Sequence, residues 1–169
     1  MTKVLSIAPE EIGKDPFTLI GKDWFLLTAT DQEGNYNTMT ASWGGVGVLW
    51  NKPVCFLFVR PGRHTHLFTD RGDHFTLSFL PEEYRAALRF CGSHSGRDVN
   101  KVRECGFTPE RDENGAVYFG EASLVLSVKK LYKTEMKKEH FLDAGLLKNY
   151  EGGDYHTVYI CQITGAMRK

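Results

Sequence analysis

The chain lacks an excess of either charge, a long apolar run and a paired-cysteine motif, and each absence removes a class of function. Lys plus Arg and Asp plus Glu balance at 21 each with no block of like charge, so nothing draws the protein to nucleic acid. No stretch approaches the roughly 20 apolar residues of a membrane span, and the N-terminal MTKVLSIAPEEIGKD has no apolar core long enough for a signal peptide. The expectation is a cytoplasmic protein with no membrane partner. Cys55, Cys91, Cys105 and Cys161 are widely spaced with no CxxC pair, which argues against a zinc ribbon or a thioredoxin-like dithiol and leaves reduced structural thiols. No G-x-S-x-G elbow is present, so a serine hydrolase is set aside. Internal repeats, low-complexity tracts and domain boundaries are also missing. A length of 169 residues then suits one domain, 1–169, able to bury its own core.

What is present reads as mainly β. Apolar or alternating runs of strand length recur at Trp24–Thr30, Val54–Val59, Phe75–Leu80, Ser123–Val128 and Thr157–Ile163. The unbroken VCFLFV suits a strand covered on both sides; FTLSFL alternates, sending Phe75, Leu77 and Phe79 one way and Ser78 the other, toward a polar pocket. Asp31–Asn35, around Gly34, and Asn114-Gly115 carry hairpin-turn chemistry. Helices are few and short. One opens at Pro81 with Glu82 and Glu83 in its first turn, places Tyr84, Ala87, Leu88 and Cys91 on one face, and stops at a left-handed Gly92. A second runs from Asp98 as N-cap to Cys105, ended by Gly106, with its N-terminus displayed for an anion by the loop Gly92–Arg97. Residues 133–155 break the strand rhythm and form an excursion over the sheet.

The stretch with most chemistry is Asn37–Pro53, NTMTASWGGVGVLWNKP, where small hydroxyl residues, glycines and two tryptophans stand together. Thr38, Thr40 and Ser42 alternate onto one face of an extended segment, and Gly44, Gly45 and Gly47 let a ligand or a second backbone approach. Thr40, Ser42, Arg63, Thr65 and Lys101 are the residue types of an anion cradle, with hydroxyls and cations from separate segments. The other reading of these residues is that Thr40 and Ser42 fill β positions while Arg63 and Lys101 are solvated. As surface cations, Arg63 and Lys101 are expected to be removable without loss of folding. Trp43 and Trp50 stack on a flat ligand, fill a core or form a subunit contact. Gly45-Val46-Gly47 is no dinucleotide fingerprint, since Trp50 occupies the third glycine position and Asn51-Lys52-Pro53 cannot open a helix. His64 and His66, two apart without cysteine or carboxylate partners, make a poor metal site, and no metal is expected.

Three runs carry a resemblance: Asn37-Thr38-Met39-Thr40-Ala41-Ser42, Arg60-Pro61-Gly62-Arg63-His64-Thr65 and Ser95-Gly96-Arg97-Asp98-Val99-Asn100-Lys101. In this order they resemble the flavin reductase-like family of FMN-binding split barrels, over about residues 20–165. The resemblance implies a six-stranded antiparallel split barrel of Greek-key topology, with a few short helices, that works as a homodimer. It implies non-covalent FMN held by Asn37, Met39, Thr40, Ala41, Ser42, Trp43, Arg60, Arg63, Thr65, Ser78, Ser95, Gly96, Asp98 and Lys101. NADH or NADPH is the implied co-substrate, sharing the flavin's pocket. Asp154-Tyr155-His156-Thr157 resembles the family's Asp-His-Thr run with one inserted residue, which makes His156 the candidate general acid or nicotinamide-positioning group. Cys161 departs from the glycine common in the family's final strand, and either narrows the pocket or changes packing. The implied activity is transfer of reducing equivalents between NAD(P)H and a flavin or downstream acceptor. A flavoredoxin-type carrier fed by a redox protein partner, or a non-catalytic flavin- or haem-binding module, are the alternatives.

Overall fold

Strand register, more than helix content, places every functional segment of this chain. The computed structural model describes residues 5–169, and its strands are β1 (Leu5–Ile7), β2 (Phe25–Thr30), β3 (Tyr36–Ala41), β4 (Gly44–Leu49), β5 (Lys52–Val59), β6 (His74–Phe79), β7 (Pro109–Arg111), β8 (Val117–Phe119), β9 (Leu124–Glu135) and β10 (Thr157–Arg168). The helices are short: α1 (Pro16–Thr18), α2 (Thr65–Arg71), α3 (Arg85–Ser93) and α4 (Lys101–Cys105). One antiparallel sheet runs β3-β2-β6-β9-β10-β5-β4, with β1 added to β10, and β7-β8 form a separate hairpin. The sheet thus has eight strands where the resemblance implies six. The final strands reach further than their apolar runs, because the Lys- and Glu-rich end of β9 stays paired to β10 as far as Glu135 opposite Thr157. The excursion over the sheet therefore begins only after Glu135.

Alternation decides the two layers of core. Phe25, Leu27, Phe75, Leu77, Phe79, Leu126, Tyr159 and Cys161 point inward and form the main cluster. The opposite faces of β2, β6 and β9 are covered as well, by α3, α4 and β8, so Leu26, Val125, Leu88, Cys91, Phe107 and Phe119 build a second cluster. This corrects the expectation for Ser78. Its register partners Leu26 and Val125 belong to that second cluster, and its hydroxyl is sealed there without a hydrogen-bond partner. Cys161 pairs in register with Cys55 inside the main cluster, so it is a packing residue. All four cysteines are free thiols.

The sheet does not close on itself by hydrogen bonds. Strands β3 and β4 follow one another in sequence yet stand at opposite ends of the ladder, joined only by Ser42 and Trp43. A connection that short spans at most about 11 Å, so the two edges face each other across a split. Gly44 is needed where β4 begins, because a Cβ there would lie 2.8 Å from the carbonyl oxygen of Phe56.

The α3–α4 segment lies against this split. A 3-10 turn at Glu82–Tyr84 leads into α3, which continues through Gly92 to Ser93 rather than stopping at Gly92, with His94 extended as its C-cap. Asn100, not Asp98, caps α4: its side chain accepts from Arg103 N at 3.0 Å, whereas Asp98 is exposed. Gly106 ends α4 where the sequence predicts, and does so in a left-handed conformation at φ 68°. Lys101 is not a surface cation. Only 5% exposed, its ammonium donates to Thr38 O at 2.9 Å and Cys91 O at 2.8 Å, tying β3 to the end of α3. Lys101→Ala takes its donor from Cys91 O and leaves Thr38 O only the 3.4 Å bond from the Asn37 amide, and a buried carbonyl left without its partner costs about 1–3 kcal/mol. The expected outcome is a loss of roughly 1–4 kcal/mol of stability, read as a lower urea midpoint with an unchanged slope.

Candidate functional site

The split is where the sequence motifs converge. On its inner side the end of β3 and the linker supply Met39, Ala41, Ser42 and Trp43; the end of β5 supplies Phe58 and Arg60; and the start of β10 supplies His156. With Thr40 and Arg63 they line a cavity of about 270 Å³. Trp43 is half exposed and sits 5.4 Å, centroid to centroid, from the His156 ring, with Phe58 edge-on to that ring at 6.3 Å. This is a slot walled by flat side chains and open on one side.

A smaller cavity of about 110 Å³ shares Met39 and Arg63 with the first and is lined by Asn37, His64, Thr65, Ser93, His94, Ser95, Gly96 and Lys101. Its walls are hydroxyls, amides and cations. Asn37 donates to Thr65 Oγ1 at 2.8 Å, and Ser95 Oγ accepts from Arg97 N at 3.2 Å. Gly96 packs tightly on Asn37: a Cβ there would meet the Asn37 amide and displace it from Thr65. Among the described residues no carboxylate lines either cavity.

Several cations here are already engaged by main-chain carbonyls. Arg63 donates to Gly92 O at 2.7 Å, Arg60 donates to Asn149 O at 2.7 Å, and Thr40 gives its hydroxyl to Leu88 O at 2.5 Å. Thr40 therefore anchors α3 rather than offering a free donor, because β3 turns Thr38 and Thr40 toward the helix and Asn37, Met39 and Ala41 the other way. Among the described residues none of Arg60, Arg63, Arg97 and Lys101 forms a salt bridge, although Asp98 opposes the lowering of His64. Burial and the neighbouring Arg60 push the Arg63 guanidinium down from its ordinary value. Burial first, then Arg97 and Lys101, lower the His64 imidazole, whose Nδ1 is sealed without a partner. Burial also lowers Lys101, with Arg63 contributing.

An orphaned imidazole nitrogen, a glycine pressed against Asn37 and a donor set without a carboxylate fit the phosphate of a flavin nucleotide. The flat-walled slot next to it fits the ring system. Sequence reasoning missed His64 and Phe58. His64 was visible inside RPGRHT but was weighed only against a metal, and Phe58 was hidden in an apolar run that reads as core. Among the described residues, no group of three or more potential metal ligands occurs.

Not every expected residue joins the site. Ser78 lies under the second cluster, and Asp98 faces a separate groove of about 540 Å³ between residues 34–38 and 96–102. Asp154, left open by the inserted residue, accepts from Gly62 N at 3.1 Å and holds the turn that carries Arg60 and Arg63. His66 shares a 2.9 Å hydrogen bond with the Thr157 hydroxyl.

His156 reaches the slot, but burial changes its chemistry. It is 6% exposed, and burial first, then Arg60, push its pKa down to about 4, opposed by Asp154. Near neutral pH the ring is uncharged, which removes the imidazolium general acid and leaves a neutral hydrogen-bonding group. The unfolded chain takes up this proton near pH 6.5 while the folded one does not until about pH 4, so stability falls on acidification through that window. By pH 5 the loss from this group is about 2 kcal/mol. Urea midpoints at pH 7 and pH 5 are expected to lie closer together in His156→Gln than in the parent protein.

The model of the flavin reductase like domain family matches residues 20–168. Among solved structures, the chain is similar to an FMN-binding protein from Thermus thermophilus with bound p-hydroxybenzaldehyde, at 18% identity and TM-score 0.69, covering 96% of this chain and 78% of that one. It is also similar to flavoredoxin of Desulfovibrio vulgaris (Miyazaki F), at 21% identity and TM-score 0.69, over 96% and 77% of the two chains. A third is the NADH:FAD oxidoreductase of Streptomyces globisporus C-1027, at 20% identity and TM-score 0.64, over 87% and 75%. Comparison with curated protein sequences gives no match. Identities this low establish the shared split-barrel fold, and the family match, running from Ile20 to Arg168 and so through the whole of the split and its two cavities, places the chain in the flavin reductase like domain family.

Proposed function

We propose that the protein binds FMN non-covalently across the two neighbouring cavities and passes reducing equivalents between NADH or NADPH and a flavin or downstream acceptor. One observation carries this reading: the aromatic slot shares Met39 and Arg63 with a cation- and hydroxyl-lined cavity, and no carboxylate lines either among the described residues. Bound flavin would supply the two-electron redox chemistry. Arg63, His64, Thr65, Ser95 and Lys101 would hold the phosphate end, and Met39, Ala41, Ser42, Trp43 and Phe58 the ring. Half-exposed Trp43 leaves that ring approachable from solvent, which suits a nicotinamide arriving in the same pocket. A neutral His156 in the wall orients and excludes water without delivering a charge.

A flavoredoxin-type carrier is the second reading, favoured by the similarity to the Desulfovibrio vulgaris flavoredoxin. Steady-state oxidation of NADH and NADPH by the FMN-loaded protein separates the two, since the carrier turns over neither. Charge-assisted hydrogen bonds are worth roughly 1.5–3 kcal/mol each, so FMN is expected to bind at least about a hundredfold more tightly than riboflavin. Arg63→Ala is expected to weaken FMN roughly ten- to a hundredfold and leave riboflavin almost unchanged; equal affinity for FMN and riboflavin in the parent protein removes the reading.

A homodimer belongs to the same proposal. Strand β4 is an edge of the sheet whose Val48 is 77% exposed, and Trp50, in the turn after it, is half exposed and lies 6.4 Å from Tyr132 by ring centroids, so this end of the sheet presents unpaired backbone and apolar surface that support the reading. Light scattering at micromolar concentration is expected to give twice the chain mass, and Val48→Glu to reduce it to one.

A further inference from the structure

The excursion between β9 and β10 carries Tyr150, a residue the flavin reading leaves without a role. It is buried behind the slot: its ring stands edge-on to His156 at 5.5 Å and stacks on Tyr155 at 5.0 Å. Arg60 lies over its other side at 4.9 Å while donating to Asn149 O, so side chain and main chain are fixed together. The Tyr150 hydroxyl is 2.8 Å from His156 Nδ1 and 3.4 Å from Met136 Sδ.

A tyrosine has one proton to give, and a neutral imidazole has one nitrogen to receive it. The imidazole nitrogen is the stronger acceptor and the nearer one; a thioether sulfur is weak. Donation to Nδ1 leaves the ring proton on Nε2. Among the described residues Nε2 has no hydrogen-bond partner, and it is not sealed from solvent, in a side chain that lines the slot.

We propose that Tyr150 is a positioning residue that locks His156 as the Nε2–H tautomer, so that the wall of the slot offers a hydrogen-bond donor to the redox ring or its nicotinamide partner. The proposal rests on the flavin reading for its consequence but not for the tautomer. A donor at this place selects groups presenting a carbonyl oxygen or an unprotonated ring nitrogen. It also gives the excursion a purpose, since among the described residues Tyr150 alone hydrogen-bonds Nδ1.

The test is long-range 15N–1H correlation of the imidazole rings in labelled protein, with and without FMN, His156→Gln assigning the resonances. Wild-type protein and Met136→Leu are expected to show Nε2 protonated and Nδ1 as an unprotonated, hydrogen-bonded acceptor. Tyr150→Phe keeps the ring packing and is expected to move the Nδ1 signal and reveal the other tautomer. In stopped flow it should slow FMN reduction roughly tenfold while FMN affinity stays within about threefold. A protonated Nδ1 in wild type, ring signals unmoved by Tyr150→Phe, or a tautomer change with an unaltered reduction rate overturns the proposal. A protein that oxidises neither nicotinamide overturns the functional reading instead, and the ring spectra still decide the tautomer.

Discussion

Two residues, Ser42 and Trp43, carry the chain from one edge of the sheet to the other, and that short crossing is the constraint on which the site depends. It holds β3 and β4 near each other without letting them pair. A closed barrel would have spent those edges on hydrogen bonds and filled its mouth with side chains. Here the unclosed seam leaves room for a flat group, and the end of β5, the start of β10 and the α3–α4 loop all gather around it.

Main-chain carbonyls organise the cationic end. Lys101, Arg63 and Arg60 each donate to backbone oxygens of another segment, so their positions are set by packing before any ligand arrives. Such preorganisation reduces the ordering cost of binding. It also makes these residues serve structure and site at once, which a count of surface charges would miss.

The excursion after Glu135 shows a similar economy. Its irregular backbone is tied to the barrel by Arg60 and by the Tyr150–His156 contact, and the aromatic series Trp43, His156, Tyr150, Tyr155 leads from the slot into it. A segment with no strand or long helix is thus made rigid by stacking.

Sequence by itself determined the β character, the inward positions of β6, the stop at Gly106 and the three motifs that meet at the split, because alternation, turn chemistry and motif order are local properties. It did not reveal that Ser78 faces a covered outer layer, that Asn100 caps α4, or that the charged end of β9 remains a strand. Those outcomes depend on what packs against each face. The protonation of His156, the burial of Lys101 and the partnering of Thr40 with Leu88 were decided only by tertiary structure, since desolvation and hydrogen-bond partners come from residues tens of positions away, and their effect on a titrating or donating group is set by distance rather than by spacing along the chain.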